Sequence, residues 1–190
     1  MKSRLLGALA VAAALLAGAD KAQAIGFNIT WTGSGGYSMT GMFSYPDALI
    51  GTGPIDGTQI TSLMIEVFLG MVSQGTWDHF VDGPDVPSAP FNFNFDTTTE
   101  TFIVGGLSFG LAGQLWNAGD GTDCITHVGF GSGSTFQGVC IGGAFFGGIP
   151  VEDSTLTATR KPAVPEPATL ALFGLGLAGL GLARRRKAVA

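Results

Sequence analysis

Apolar side chains occupy every second position over residues 27–31, where Phe27, Ile29 and Trp31 alternate with polar neighbours. The alternation resumes beyond a glycine-rich interval at Tyr37, Met39, Gly41 and Phe43. A period of two lines residues up on one face of a strand, whereas a helix would bring them round every three or four positions. The pattern predicts a hairpin over residues 27–45 with its turn at 33–36. Over residues 59–71, Leu63, Ile65, Val67, Leu69 and Met71 share one face, while Met64 and Phe68 flank a lone charge, Glu66, on the other. That strand is expected to be covered on both sides.

Phe91, Phe93 and Phe95 alternate with Asn92, Asn94 and Asp96, and after a Thr-rich turn residues 101–104 return, which reads as a second hairpin. Further strands are expected at 107–111, near 126–130, at 136–141 and around 154–158, separated by Gly-rich turns. Seven or more strands without a convincing amphipathic helix predict an all-β body, an antiparallel β-sandwich or barrel-like fold. No repeat of fixed period stands out, so a solenoid is not expected.

Two segments depart from this pattern. Residues 1–24 have the zones of a secretory signal peptide: basic Lys2 and Arg4, an apolar run over 5–17, and a small-residue exit at Ala22, Gln23 and Ala24. Cleavage by signal peptidase after Ala24 would start the mature chain at Ile25. The apolar run of about 13 residues is short for a membrane span of about 20. At the other end, residues 168–183 are apolar apart from Thr169 and run directly into Arg184, Arg185, Arg186 and Lys187. A helix of that length reaches about 24 Å, enough to span a bilayer only with tilt or snorkelling, and the basic cluster would stop transfer and stay cytoplasmic. The expected organisation is therefore a signal peptide at 1–24, a β-rich exported domain at 25–159 and a sorting or anchoring segment at 160–190.

Charge sharpens this division. Every Lys and Arg lies in the end regions: Lys2, Arg4 and Lys21 in front, then Arg160, Lys161, Arg184, Arg185, Arg186 and Lys187 behind. Residues 25–159 contain no basic side chain against twelve acidic ones: Asp47, Asp56, Glu66, Asp78, Asp82, Asp85, Asp96, Glu100, Asp120, Asp123, Glu152 and Asp153. A body so acidic repels polyanions, which excludes nucleic acid as a natural partner. With 46% hydrophobic and 12% charged residues, the chain is too apolar to be disordered throughout.

Just ahead of the apolar tail stand Val164, Pro165, Glu166, Pro167, Ala168 and Thr169, preceded by a polar stretch at 157–161. A Pro-Glu-Pro signature, a short Gly/Leu-rich helix and an Arg cluster, in that order, resemble the PEP-CTERM sorting signal of Gram-negative bacteria. Tails of this type also carry the label of an ice-binding protein C-terminal domain, which belongs to the tail and is no evidence of ice binding. The resemblance implies that an exosortase recognises the tail and cleaves near Val164, Pro165, Glu166 and Pro167, moving the protein from the inner membrane to the envelope surface or the medium. It also implies a setting in which exopolysaccharide is a candidate partner. The residues agree physically, because two prolines flanking one residue hold an extended, unpaired backbone that a processing enzyme can grip.

Export places Cys124 and Cys140, the only two cysteines, in an oxidising compartment where a disulfide is expected. Buried free thiols or half of a metal site are the rivals, and no CxxC spacing supports the second. Gly106, Ser108 and Gly110 match a GxSxG nucleophile elbow, with Asp120 or Asp123 and then His127 in hydrolase order, but the β-only context contradicts it. His79 and His127 lack metal-ligand company at helical spacing, and Asp78 beside His79 reads as loop polarity. Asp78, Asp82 and Asp85, or Asp120 and Asp123, could gather oxygen ligands for Ca²⁺, though neither set has EF-hand spacing. Trp31, Trp77 and Trp116 are candidates for a sugar-stacking face, with burial in the core as the simpler reading. Gly174, Gly176 and Gly179 satisfy GxGxxG inside the apolar tail, where there is no strand before them and no phosphate within reach.

No catalytic residue, metal ligand or cofactor is assigned. The expected function is that of a non-enzymatic envelope or extracellular-matrix protein with a structural or adhesive role. A carbohydrate- or Ca²⁺-dependent binding module is the alternative, and a small secreted hydrolase the second alternative.

Overall fold

A computed structural model of the chain describes residues 24–85, 91–105, 112–118 and 124–162. The alternating segments become strands of a five-stranded antiparallel sheet, ordered β12-β1-β2-β4-β5. Its members are β1 (Ala24–Thr32), β2 (Tyr37–Pro46), β4 (Ser62–Leu69), β5 (Val72–Asp78) and β12 (Thr157–Arg160). β1 and β2 pair from Ala24↔Pro46 to Thr32↔Ser38. Gly35 and Gly36 in the turn between them hold φ of 64° and 81°, a region that costs a glycine nothing.

The facing layer has two parts. A four-stranded sheet is ordered β11-β10-β9-β8, from β8 (Gln114–Trp116), β9 (Gly129–Ser132), β10 (Phe136–Ile141) and β11 (Ala144–Pro150). A three-stranded sheet is ordered β3-β6-β7, from β3 (Pro54–Asp56), β6 (Asn94–Asp96) and β7 (Thr101–Phe102). An antiparallel bridge between Asn92 and Leu115 joins the two parts. The buried Gln114 side chain reinforces it: Nε2 donates to the carbonyls of Asn94 (2.7 Å) and Ile103 (3.0 Å), and Oε1 accepts the Asn94 N–H. Two short 3-10 turns, Asp47–Leu49 and Val151–Asp153, complete the regular structure.

The core lies between the layers. Phe27, Ile29, Trp31, Met39, Phe43, Tyr45, Leu63, Ile65 and Val67 face inward from the first sheet, and Phe93, Phe95, Phe102, Trp116, Phe130 and Val139 meet them from the second layer. Phe43 lies 4.9 Å from Phe95 and 5.1 Å from Phe93, both edge-to-face, and Trp31 meets Phe130 edge-to-face at 5.4 Å. Each such ring contributes roughly 1.5–3 kcal/mol by leaving water, with a further increment from edge-to-face geometry. A smaller cluster of Leu115, Ala118, Cys124, Cys140 and Phe145 forms beside it, closed by a Cys124–Cys140 disulfide.

The architecture is thus all-β and antiparallel, and both expected hairpins form. Several details differ from the sequence pattern. Leu69 and Met71 were expected on the buried face but are exposed, because β4 ends at Leu69 and the chain turns at Gly70 with φ of 61°. The second face of β4 is only half-buried, since polar Thr40 and Thr76 flank Glu66 across the neighbouring strands. The strand expected near 126–130 forms as β9, and the one around 154–158 forms as β12, which takes in Arg160. β3, β5, β8 and β11 carry no clear alternation: two are three residues long, β5 is a mostly exposed edge, and β11 bulges against β10 at its glycines.

The expected strand at 107–111 lies outside the described residues, as do the apolar run and Ala22 of residues 1–24 and the tail from Ala163 onward. Among the described residues, no helix is long and apolar enough to cross a membrane. Both routes out of the sandwich share one end. β1 and β12 are antiparallel, Phe27 pairs with Arg160, and the Lys161 N–H donates to the Gly26 carbonyl at 2.8 Å. Ala24, the first residue of β1, and Pro162 therefore both lie at the end opposite the 33–36 and 70–71 turns.

Candidate functional site

The densest polar cluster joins three segments that are far apart in sequence. Asp85, with its side chain 2% exposed, sits in the loop that follows β5. Its Oδ2 accepts the backbone N–H groups of Thr126 (2.9 Å) and His127 (2.8 Å) and a side-chain N–H of Asn117 (3.2 Å), while its Oδ1 lies 2.5 Å from His127 Nδ1. In return the Asp85 N–H donates to Asn117 Oδ1 at 2.9 Å, and Asn117 also donates to the Val128 carbonyl. Asn117 holds φ of 49°, a left-handed conformation that asparagine tolerates better than most residues. Gly129 makes room for it, since a Cβ there would stand 2.2 Å from the Asn117 carbonyl oxygen.

Electrostatics follow from these contacts. Burial alone would raise the Asp85 carboxyl, but N–H donors from His127, Asn117 and Thr126 outweigh it and hold the group below its ordinary value. The hydrogen bond to Asp85 raises the His127 imidazole, working against slight burial, and the negative charges of Asp85 and Asp82 add to it. Asp82 Oδ1 lies 3.8 Å from Nε2. In a body without lysine or arginine before Arg160, His127 is thus the side chain inclined to carry positive charge. The same contacts tie the Thr126–His127 segment to the loop that follows β5.

His79 is the opposite case. It stacks on Phe91 at 3.8 Å between centroids, and burial lowers its pKa in spite of the neighbouring Asp78. Asp78 and Asp82 are occupied in their own loop: Asp78 Oδ1 accepts the Phe80 and Val81 N–H groups, and Asp82 Oδ2 accepts the Asp78 N–H. The carboxylates of Asp78, Asp82 and Asp85 therefore point to N–H donors instead of converging on a Ca²⁺ position. Among the described residues, no group of three or more His, Cys, Asp or Glu side chains is arranged to hold a metal ion.

Trp31, Trp77 and Trp116 are all buried, so they build the core and leave no tryptophan face on which a sugar could stack. The two cysteines are bonded to each other. Gly106, Ser108, Gly110, Asp120 and Asp123 lie outside the described residues, as do Val164, Pro165, Glu166, Pro167, Gly174, Gly176, Gly179, Arg184, Arg185, Arg186 and Lys187. Sequence reasoning missed the partnership of Asp85, Asn117 and His127. Its only advance signal was one of two histidines in an otherwise uncompensated acidic body.

Fold and cluster together define an acidic, two-layer β-sandwich whose buried polar groups tie loops to strands, followed at once by a tail. The family model of the PEP-CTERM protein-sorting motif matches that tail, over residues 163–187. The chain accordingly carries a PEP-CTERM protein-sorting motif, which marks it as an exported protein sorted by an exosortase. No curated protein and no solved structure is similar enough to the chain to count as a match.

Proposed function

We propose that the protein is an envelope or extracellular-matrix component with a structural or adhesive, non-enzymatic role, delivered by its two ends. Residues 1–24 serve as a signal peptide removed by signal peptidase after Ala24. The tail then holds the body on the outer side of the inner membrane, with residues 168–183 in the bilayer and Arg184, Arg185, Arg186 and Lys187 behind them. Exosortase processing near Val164, Pro165, Glu166 and Pro167 releases the body to the cell surface or the medium, where exopolysaccharide is its candidate partner.

The observation that carries this reading is the sorting motif beginning at residue 163, immediately beyond the last residues of the sandwich. The internal use of Asp78, Asp82, Asp85 and His127 supports the non-enzymatic part. The test is the mass and location of the mature protein in its own host. A product starting at Ile25, ending near Pro165 and found in the envelope or medium is expected; an intact chain of 190 residues in the cytosol would overturn the reading.

A further inference from the structure

Exposed apolar side chains gather at both ends of the sandwich. At the end remote from the chain exits, Met71 is 98% and Val72 65% exposed in the turn between β4 and β5. At the exit end, Ile50, Phe80 and Val81 are 45%, 54% and 79% exposed. Their placement follows from register. Ile50 comes four residues after Pro46, which pairs with Ala24. The His79 N–H donates to the Leu63 carbonyl, and Leu63, Phe43, Phe27 and Arg160 are successive partners across the sheet, so Phe80 and Val81 lie just beyond that row.

Leash length decides which end is held close to the anchoring membrane. From Pro162 to the start of the apolar tail at Ala168 there are six steps of chain, at most about 20 Å when fully extended. β1 alone, at nine residues, rises about 30 Å along the sheet. The leash is shorter than β1, so the exit end is always held within about 20 Å of the bilayer in which the tail sits, whereas the Met71 end is free to swing out by the length of the body.

We propose that the exit end of the sandwich is seated on the lipid bilayer, with Ile50, Phe80 and Val81 entering its interfacial layer and Met71 pointing away from it. The inference rests on the reading of residues 168–183 as a membrane segment. Chemistry specifies the lipid. Asp47 and Asp82 stand beside these apolar residues, and the Arg160 guanidinium is paired with Glu100, which leaves Lys161 as the free cation among the described residues at this end. The seat is therefore apolar, suited to a zwitterionic surface and weakened by an anionic one.

The test uses the full chain after signal-peptide removal, floated with phosphatidylcholine vesicles. An environment-sensitive fluorophore is placed on a single new cysteine in Ile50→Cys, Val81→Cys or Met71→Cys, all exposed positions. Lipids carrying a shallow nitroxide should quench the label at positions 50 and 81 and leave the label at 71 unquenched. Equal quenching at all three, or stronger quenching at 71, in protein that floats with the vesicles overturns the seating and leaves the tail reading intact. Protein that fails to float overturns the tail reading and the seating together.

Discussion

The carboxylate of Asp85 and the imidazole of His127 meet at 2.5 Å across 42 residues of sequence, and that contact closes a loop onto the second layer of the sandwich. With Asn117 beside them, they tie the loop after β5 to residues 117 and 126–127. Replacing Asp85 by Ala removes the acceptor for four N–H groups and leaves His127 without its main partner. Leaving those donors without their acceptor costs about 1–3 kcal/mol, so a drop in the urea midpoint is expected. An unchanged midpoint would mean that the loop is not coupled to global unfolding.

The same pair sets the pH dependence of stability. His127 is raised in the folded protein, so its contribution is complete below its unfolded value and is lost as pH rises through the folded value. Asp85 is lowered, so its contribution is present above its unfolded value and is lost as pH falls through the folded value. Stability should be flat between these limits and decline on both sides. In His127→Gln the alkaline decline assigned to the imidazole should disappear, which urea titrations at a series of pH values would reveal.

Phe43 stacks on or edges against Phe27, Tyr45, Phe93, Phe95 and Phe102, and is 1% exposed. Phe43→Ala opens a cavity where the first sheet meets β6 and β7 and should cost about 3–5 kcal/mol. Domains of this size are stable by only about 5–15 kcal/mol, so a large shift in melting temperature or outright failure to fold is expected. A shift within the range of a surface substitution would count against the packing described.

Cys124 and Cys140 are buried and close a loop with a sequence separation of 16. In the chain-entropy view such a bridge stabilises by about 3 kcal/mol. The double variant Cys124→Ala, Cys140→Ala should therefore melt well below the parent, and reductant should lower the melting point of the parent alone.

The tail and the body should separate cleanly. A chain ended at Pro162 keeps β12 and should melt like the parent, whereas one ended at Leu156 loses β12, uncovers the edge of β1 and removes the Arg160 contacts to Glu100 and the Phe27 ring. Comparative calorimetry of the two would check this, and equal melting would show that β12 is dispensable.

Alternation by itself determined that Phe27, Ile29, Trp31, Phe43, Leu63 and Phe95 would be strand residues with one face turned inward, because the period of two is a property of the extended backbone. Local order likewise made the sorting tail legible: a Pro-Glu-Pro signature, an apolar run and an arginine cluster are contiguous and need no folding to be read. The pairing of Cys124 with Cys140 was legible because no other cysteine competes.

Only the tertiary structure decided the rest. It sent all three tryptophans to the core, left Met71 in the open by ending β4 at Leu69, and turned three spaced aspartates toward N–H donors. It also brought Asp85 to His127 and placed Ala24 beside Pro162 at one end. Each of these depends on which distant segments come to lie together, and a carboxylate satisfied by an N–H 42 residues away leaves no mark on the residues beside it.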